Sequence, residues 1–439
     1  TALRAPGVLR LTLVRFTGQF GDGAFQAALS GAILFNPERE TDPVAIAAGF
    51  AVLLLPYSLI GPYAGALLDR WDRRLVLLLA NLLRAVLIAA VCAGLSTGID
   101  ETPLLLLALA VVGIGRFVAA GVSAALPRVL DRQWLVPANS VLATAGSACA
   151  AAGAALAVAV IGVLGAGDTA SAVAVALSAT GSVAGVLLAA GFAPHVLGPD
   201  SERTDARGAV RAIASGLRIG AATVWGSVAV TTAMLGIGAH RIVFGANTLI
   251  MVLVLREAPA STSALDSGLV GFGVAITATA AGMLVAALIA PLLIPRLGRP
   301  RTVVTGLIIA TVVQMCLVTP TALADSAHTA ARAHQFLLAA AFLFGLAGQT
   351  IKLAGDATLQ IDIPDTRRGE VFALQDTVFN IAFVLAVAVT ALVIPADGRS
   401  MEVVAAGAFC YLAGITAIAV NGRRTPRIHD TDRTQRKDL

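Results

Sequence analysis

The chain alternates long apolar runs with short charged segments. The runs reach about 20 residues or more, the length an α-helix needs to cross roughly 30 Å of hydrocarbon. The pattern predicts twelve of them, near 10–35, 44–68, 74–97, 103–125, 138–164, 168–193, 221–255, 267–293, 302–321, 334–357, 371–395 and 401–420. Strict apolar/polar alternation, the mark of membrane barrel strands, is absent. The expected fold is an all-α membrane protein with twelve transmembrane helices. The seventh run is longer than one crossing requires, so its start is expected to include a surface segment. No small-residue cleavage site follows the first run, which therefore reads as a span rather than a signal peptide.

Basic residues between the runs are unevenly placed. Arg4, Arg10, Arg70, Arg73, Arg74, Arg128, Arg132, Arg203, Arg207, Arg211, Arg218, Arg296, Arg299, Arg301, Arg367 and Arg368 fall on one side, with the basic C-terminal segment. Only Arg39, Arg256, Arg332 and Arg399 fall on the other. By the positive-inside rule the first side is cytoplasmic, which puts both termini there and requires an even number of spans. The longest polar connection divides the chain. Expected domains are a first six-helix bundle (1–194), a cytoplasmic linker (195–220), a second bundle (221–420) and a basic tail (421–439). The halves look related: Arg70-Trp71-Asp72-Arg73-Arg74 after span two is matched by Arg296-Leu297-Gly298-Arg299-Pro300-Arg301 after span eight. Pro127-Arg128 after span four is matched by Pro364 to Arg368 after span ten. Two parallel six-helix repeats are a transporter architecture.

Composition sharpens this picture in a few places. The chain of 439 residues is 57% hydrophobic and 13% charged, against about 45–50% and 25% for a soluble domain. The net charge of +5 is explained by topogenic arginine, so no nucleic-acid partner is expected. Lys352 and Lys437 are the only lysines amid abundant Ala, Val and Gly, a bacterial composition that places the protein in the cytoplasmic membrane. Cys92, Cys149, Cys316 and Cys410 lie singly in separate runs, and the histidines lack ligand spacing, so neither a metal nor a cofactor is expected. No nucleophile or nucleotide motif is present, and an enzyme is not expected.

One stretch carries a resemblance. Gly65-x-Leu67-x-Asp69-Arg70-x-x-Arg73-Arg74 resembles the signature loop of the major facilitator superfamily, with Asp72 where the pattern has glycine. The resemblance implies that family's fold of two pseudo-symmetric six-helix bundles. Phe20 to Gly23, Leu135 to Ser140, Ile363-Pro364 and Arg368 to Val371 resemble the enterobactin-exporter-like and macrolide-efflux-like branch. The Gly-Pro antiporter motif of span five is missing, although Gly146 and Gly153 are present. The resemblance further implies a cytoplasmic gate in which Asp69 faces the start of span eleven, near Gly369-Glu370. Gly65, Arg70, Arg73 and Arg74 are counted with this gate, where Arg73, Arg128 and Arg132 are the available cations and Asp131 a possible counter-charge. A partner for a span-one acid is also implied, in span four, where Arg116 stands.

Charges inside spans are costly and serve as functional candidates by default. Arg15, Gln19, Asp22, Gln26 and Ser30 are spaced to share one face of span one, which should line a water-filled cavity. A carboxylate there, held between burial and a nearby cation, can take up and release a proton; Asp22 is that group, with Arg116 as its expected cation. His240 is a further proton-coupling candidate, and His240, Arg241 and Asn247 sit among glycines at the expected substrate level. Gln349, Lys352 and Asp356 share a face of span ten, and Lys352 can pair with Asp356. Asp376 and Asn380 lie near the start of span eleven, where the helix dipole favours an acid. Asp356 and Asp376 read as gate residues, and Gln349, Lys352 and Asn380 as cavity residues. Arg84 is expected to snorkel to the cytoplasmic interface.

These residues, taken with the resemblance, predict a monomeric secondary transporter. It would export an amphipathic small molecule by alternating access, driven by proton entry, with membrane lipid as its other partner. An importer or uniporter, or a lipid or glycolipid transporter, would use the same fold. A receptor or scaffold would gain little from the intramembrane charges.

Overall fold

The computed structural model describes residues 6–35, 42–68, 71–98, 100–198, 206–256, 268–324 and 326–423. Among them the regular structure is entirely helical. The first half comprises α1 (Pro6–Ile33), α2 (Pro43–Leu68), α3 (Arg73–Thr97), α4 (Glu101–Val129), α5 (Arg132–Leu164) and α6 (Asp168–Ala190). After α7 (Ala206–Gly226) come α8 (Val228–Arg256), α9 (Gly268–Leu297), α10 (Arg299–Val313), α11 (Thr319–Ala322), α12 (Ala327–Asp362), α13 (Asp365–Ala391) and α14 (Met401–Asn421). A π-helical turn, Gln314–Val318, joins α10 to α11 within one apolar stretch. Ten of the described stretches are long and apolar enough to cross a membrane. With α1 and α2, 28 and 26 residues long, they match the twelve predicted runs.

Several helices extend a turn or more past the predicted runs, and two of the differences bear on the site, each for a local reason. The run predicted from residue 221 begins inside α7, an amphipathic helix. The chain breaks after Gly226, where the Ser227 amide donates to the Val224 carbonyl (3.2 Å). The Ser227 hydroxyl accepts from the Val230 amide (3.3 Å) and so caps α8. The second correction is at α13, which starts at Asp365. Gly369-Glu370 therefore lies in its second turn, where the amides are committed to the helix and do not present a free N-terminus.

The chain forms two compact units that cut across its halves. One comprises Thr1–Ile213, Thr248–Val274 and Val387–Gly398; the other comprises Ala214–Asn247, Ala275–Ala386 and Arg399–Leu439. In the first unit α1 packs on α5 and α6, α3 on α4 and α6, and α2 on α4. Glycine permits the closest approaches. Gly23 lies against the Ala150 carbonyl of α5, and Gly153 of α5 against the Phe20 carbonyl of α1, so that a β-carbon at either would collide with backbone. Small residues at a helix crossing are the usual means of tight packing in lipid, where no hydrophobic force separates helix from tail. A cluster including Leu11, Leu77, Val122, Leu126 and Ala189 fills one end of the bundle. Also in this unit, the Arg256 guanidinium at the end of α8 donates to the Leu34 carbonyl just past α1 (3.0 Å). Phe272 packs on Phe35 with ring centroids 5.3 Å apart.

The second unit repeats the device. Gly245 of α8 lies 2.9 Å, measured to a built β-carbon, from the Phe383 carbonyl of α13, the counterpart of the α1–α5 crossing in a six-helix repeat. Gly282 of α9 and Gly345 of α12 approach each other's helices through the Phe342 and Thr279 carbonyls. Val230, Ala233, Leu359, Ile363 and Val371 form a core where α8, α12 and α13 meet.

The loop that opens α3 accounts for Asp72. Its carboxylate caps α3 by accepting from the Arg74 amide (3.0 Å) and also accepts from the His195 amide (3.2 Å). Glycine could do neither. Arg73 is buried, donating to the carbonyls of Ala124 (2.8 Å) and Leu197 (3.4 Å), and Arg74 donates to the Ala190 carbonyl (3.2 Å).

Candidate functional site

The tight α1–α5–α6 packing turns Asp22 into the first unit's interior, where it is 8% exposed. Its partner is Arg84 of α3, 1% exposed, with Nη2 2.5 Å from Oδ1. This corrects two expectations. Arg84 does not snorkel, and the cation bonded to Asp22 comes from α3, whereas Arg116 of α4 was expected there. The cause is the buried stripe of α3, Arg73, Val76, Leu77, Asn81, Arg84, Ile88, Val91 and Leu95. That helical periodicity places Arg84 on the inward face along with Asn81, and it was available in the sequence. Gly115 of α4 makes room for the pair: a β-carbon there would lie 2.9 Å from Asp22 Oδ1 and 3.3 Å from Arg84 Cζ. Arg84 Nε is buried without a hydrogen-bond partner among the described residues. Asn81 is held by its own helix, donating to the Leu77 carbonyl (2.7 Å).

The rest of the predicted polar face of α1 is less enclosed. Arg15, Gln19 and Gln26 are half-buried, and Gly146 of α5 faces Gln19 and Arg15. Arg116, adjacent to Gly115, is also half-buried.

In the second unit the predicted residues separate into three groups. His240 is buried, with Nδ1 3.2 Å from the hydroxyl of the fully buried Tyr411. The rings of Phe244 and Phe344 flank it, and Gly348 abuts its edge. The following residue, Arg241, takes another direction, with its guanidinium 5.7 Å from the Phe383 ring centroid and donating to Asn380 Oδ1 (3.5 Å). Asn247 lies in a third place. Its amide donates to Gln314 Oε1 (2.7 Å), and Gln314 donates to the Val404 carbonyl (3.2 Å). Gln314 opens the π-helical turn, and its burial beside Asn247 makes that irregularity a polar junction of α8, the α10–α11 span and α14. Sequence reasoning missed Gln314 and Tyr411, a single polar residue and a single aromatic in otherwise apolar runs.

Lys352 and Asp356 pair across one turn of α12 at 2.5 Å, and Gln375 of α13 donates to the other Asp356 oxygen (3.0 Å). Asp376 is exposed, within electrostatic reach of Lys352, Asp356 and Arg241. It stands three turns inside α13, so the helix start does not account for its position. Half-buried Gln349 lies one turn before Lys352. The result is a partly exposed cluster of two cations and two acids, with Asn380 and an aromatic ring beside it.

Of the predicted gate, Asp69 and Arg70 lie outside the described residues, as do the surroundings of Gly65. Asp131 is exposed at the start of α5 and makes no side-chain cap. Arg73 and Arg74 are bonded to backbone carbonyls of the first unit.

No protein-family model matches the chain. Two curated relatives, "Uncharacterized MFS-type transporter Rv0037c" of Mycobacterium tuberculosis and "Uncharacterized MFS-type transporter Mb0038c" of Mycobacterium bovis, are each 41% identical over 421 residues, covering 95% of this chain and 92% of theirs. Among solved structures, the nucleoside transporter NupG aligns with a TM-score of 0.63 at 14% identity, over 95% of this chain and 99% of its own. A peptide transporter POT aligns at 0.68 and 16%, over 95% of each chain. An inward-facing bacterial homologue of the iron transporter ferroportin aligns at 0.64 and 16%, over 97% of this chain and 100% of its own. At such identities these structures share the fold alone.

Proposed function

The chain belongs to the major facilitator superfamily as an MFS-type transporter, and we propose that it exports an amphipathic small molecule by alternating access, with proton entry as the driving step. The observation that carries this reading is the Asp22–Arg84 pair, 2.5 Å long in the interior of an apolar bundle. A fixed ion pair there gives the fold little, since apolar replacements of buried pairs are often neutral or stabilising. A carboxylate that exchanges its cation for a proton gives the bundle two charge states. Arginine keeps its charge throughout, so the proton belongs to Asp22. Arg15, Gln19 and Gln26 continue the polar face, and Arg116 adds a second cation beside Gly115.

The second unit supplies the cargo contacts. Arg241, Lys352, Asp356 and Asp376, with Gln349 and Asn380, offer charge of both signs, while Phe383 offers an apolar surface beside Arg241. That pairing suits a solute with a polar end and an apolar body. His240, anchored by Tyr411, sets the direction in which α8 presents Arg241. Arg256 on Leu34 and Phe272 on Phe35 join segments of the two halves on the side opposite the basic loops, and alternating access requires such a contact to open. The arginine bias supports a bacterial cytoplasmic membrane location with both termini inside.

The test uses purified protein in proteoliposomes, an imposed pH gradient and a panel of fluorescent amphipathic dyes. Wild type should drive dye in the direction opposite to the proton flow, and Asp22→Asn should abolish this while dye counterflow continues. Gradient-driven movement that survives Asp22→Asn overturns the coupling role. Failure of wild type to move any of the dyes overturns the cargo class.

A further inference from the structure

A groove of about 700 Å³ runs along the surface of the second unit, between the α7–α8 junction and α14. Phe409, Leu412 and Val420 line it from α14, Leu235 from α8 and Trp225 from the end of α7. Its polar lining includes Trp225, Thr231 and Asn421, which stand where α14 ends and α8 begins. Along α14 the lining extends from Phe409 to Asn421, a rise of roughly 18 Å at 1.5 Å per residue. One leaflet of hydrocarbon is about 15 Å deep. The groove thus has the length of a single acyl chain and a polar end at the depth of the headgroups. Trp225, exposed, occupies the level at which tryptophan gathers in membrane proteins.

Two features at the polar end describe the headgroup. Arg423 is exposed, two residues beyond Asn421. Asn421 is buried and ties α14 to α8, its amide donating to the Val228 carbonyl (2.8 Å) and to Thr232 Oγ1 (3.0 Å). Its Oδ1, an acceptor, is left without a hydrogen-bond partner among the described residues. The exposed cation favours a headgroup of net negative charge over a zwitterionic one, and the unpaired acceptor favours one that carries a donor such as a hydroxyl. A trimethylated choline supplies no donor. A substrate passing through the transporter would need a site that opens to water, whereas this groove is walled by exposed apolar side chains on an outer helix.

We propose that this groove is a binding site for an anionic glycerophospholipid of the phosphatidylglycerol type, one acyl chain lying along α14 and the phosphate meeting Arg423. The site is independent of the cargo and coupling proposed above.

Trp225 provides the readout. In a Trp71→Phe, Trp134→Phe background it is the sole tryptophan. The full chain is reconstituted into phosphatidylcholine vesicles in which an equal fraction of lipid is brominated phosphatidylglycerol or brominated phosphatidylcholine. Phosphatidylglycerol is expected to quench with several-fold higher apparent affinity. Arg423→Gln should reduce that preference about fivefold, the effect of one basic side chain near a membrane surface. Ala417→Phe should fill the groove and lower quenching by both lipids without altering the thermal stability of the protein. Equal quenching by the two lipids would make the groove an ordinary lipid-facing surface and overturn the proposal, as would an unchanged preference in Arg423→Gln.

Discussion

Removing Arg84 while leaving Asp22 is the sharpest perturbation the first unit permits. At 2.5 Å, two unit charges attract by about 7 kcal/mol at an effective dielectric of about 20. Much of that is offset by the cost of taking both ions out of water, so the net value of the pair is small. An isolated carboxylate in the same place retains the cost and loses the attraction, and truncating one partner of a buried pair typically destabilises by about 3–5 kcal/mol. At roughly 2–4 °C per kcal/mol for a domain of this size, Arg84→Met should lower the unfolding midpoint by about 6–20 °C. Asp22→Asn, which strands the arginine, should fall in the same range. The double variant Asp22→Asn/Arg84→Met carries no buried charge and should regain most of the loss, while gradient-driven transport stays absent. Thermal unfolding of the four proteins in nanodiscs closes the cycle. If the two single effects simply add in the double variant, or if each is below about 1 kcal/mol, the residues are not a coupled buried pair and the reasoning fails.

Four further outcomes follow from the packing. Gly23→Ala should cost about 1–3 kcal/mol by forcing α1 off the Ala150 carbonyl, while Gly18→Ala, which meets nothing within 4 Å, should be neutral or stabilising; thermal midpoints compare the two. Asn247→Leu or Gln314→Leu alone should cost about 1–3 kcal/mol by stranding a buried amide, and the double substitution should recover much of it in the same assay. Asp72→Ala should lose about 0.5–2 kcal/mol with the α3 cap, and Asp72→Gly, a better cap than alanine, a smaller amount that still includes the bond to the His195 amide. Arg256→Ala removes a charged donor from the Leu34 carbonyl, a bond worth about 1.5–3 kcal/mol. Thiol labelling of Phe35→Cys in a cysteine-free background should then rise about tenfold or more, and unchanged labelling would exclude the contact as a latch.

The spans were legible because period and length are local properties, and lipid allows few alternatives to a helix. The break at Gly226-Ser227 was only half visible, because α7 is apolar enough on one face to continue the run of α8. The polar face of α1 was visible as spacing, but the partner of Asp22 was not, since pairing depends on which face α3 turns inward. That face was written in the Leu77, Asn81, Arg84, Ile88 and Val91 stripe, which an assumption of snorkelling obscured. On α8, neighbouring residues 240 and 241 point in different directions, and Asn247, two turns further on, turns toward Gln314. Proximity in sequence therefore overstated their membership of one site.

The Asp72–Arg74 segment shows how a family motif can combine two roles. Charges crowded between two spans look like parts of a gate, since a gate needs ion pairs that form and break. Here Asp72, Arg73 and Arg74 bind backbone groups at the ends of α3, α4 and α6 and in the 195–198 turn. Backbone carbonyls at helix ends are obligatory acceptors, and satisfying them with a charged donor is worth more than a solvent-exposed ion pair. A clamp of this kind makes one end of the first bundle move as a body, which is what a rocking mechanism requires of each half. Glycine at position 72 would supply a turn without a cap, and the aspartate replaces that freedom with two further bonds. The departure from the family pattern therefore strengthens the rigid part of the loop.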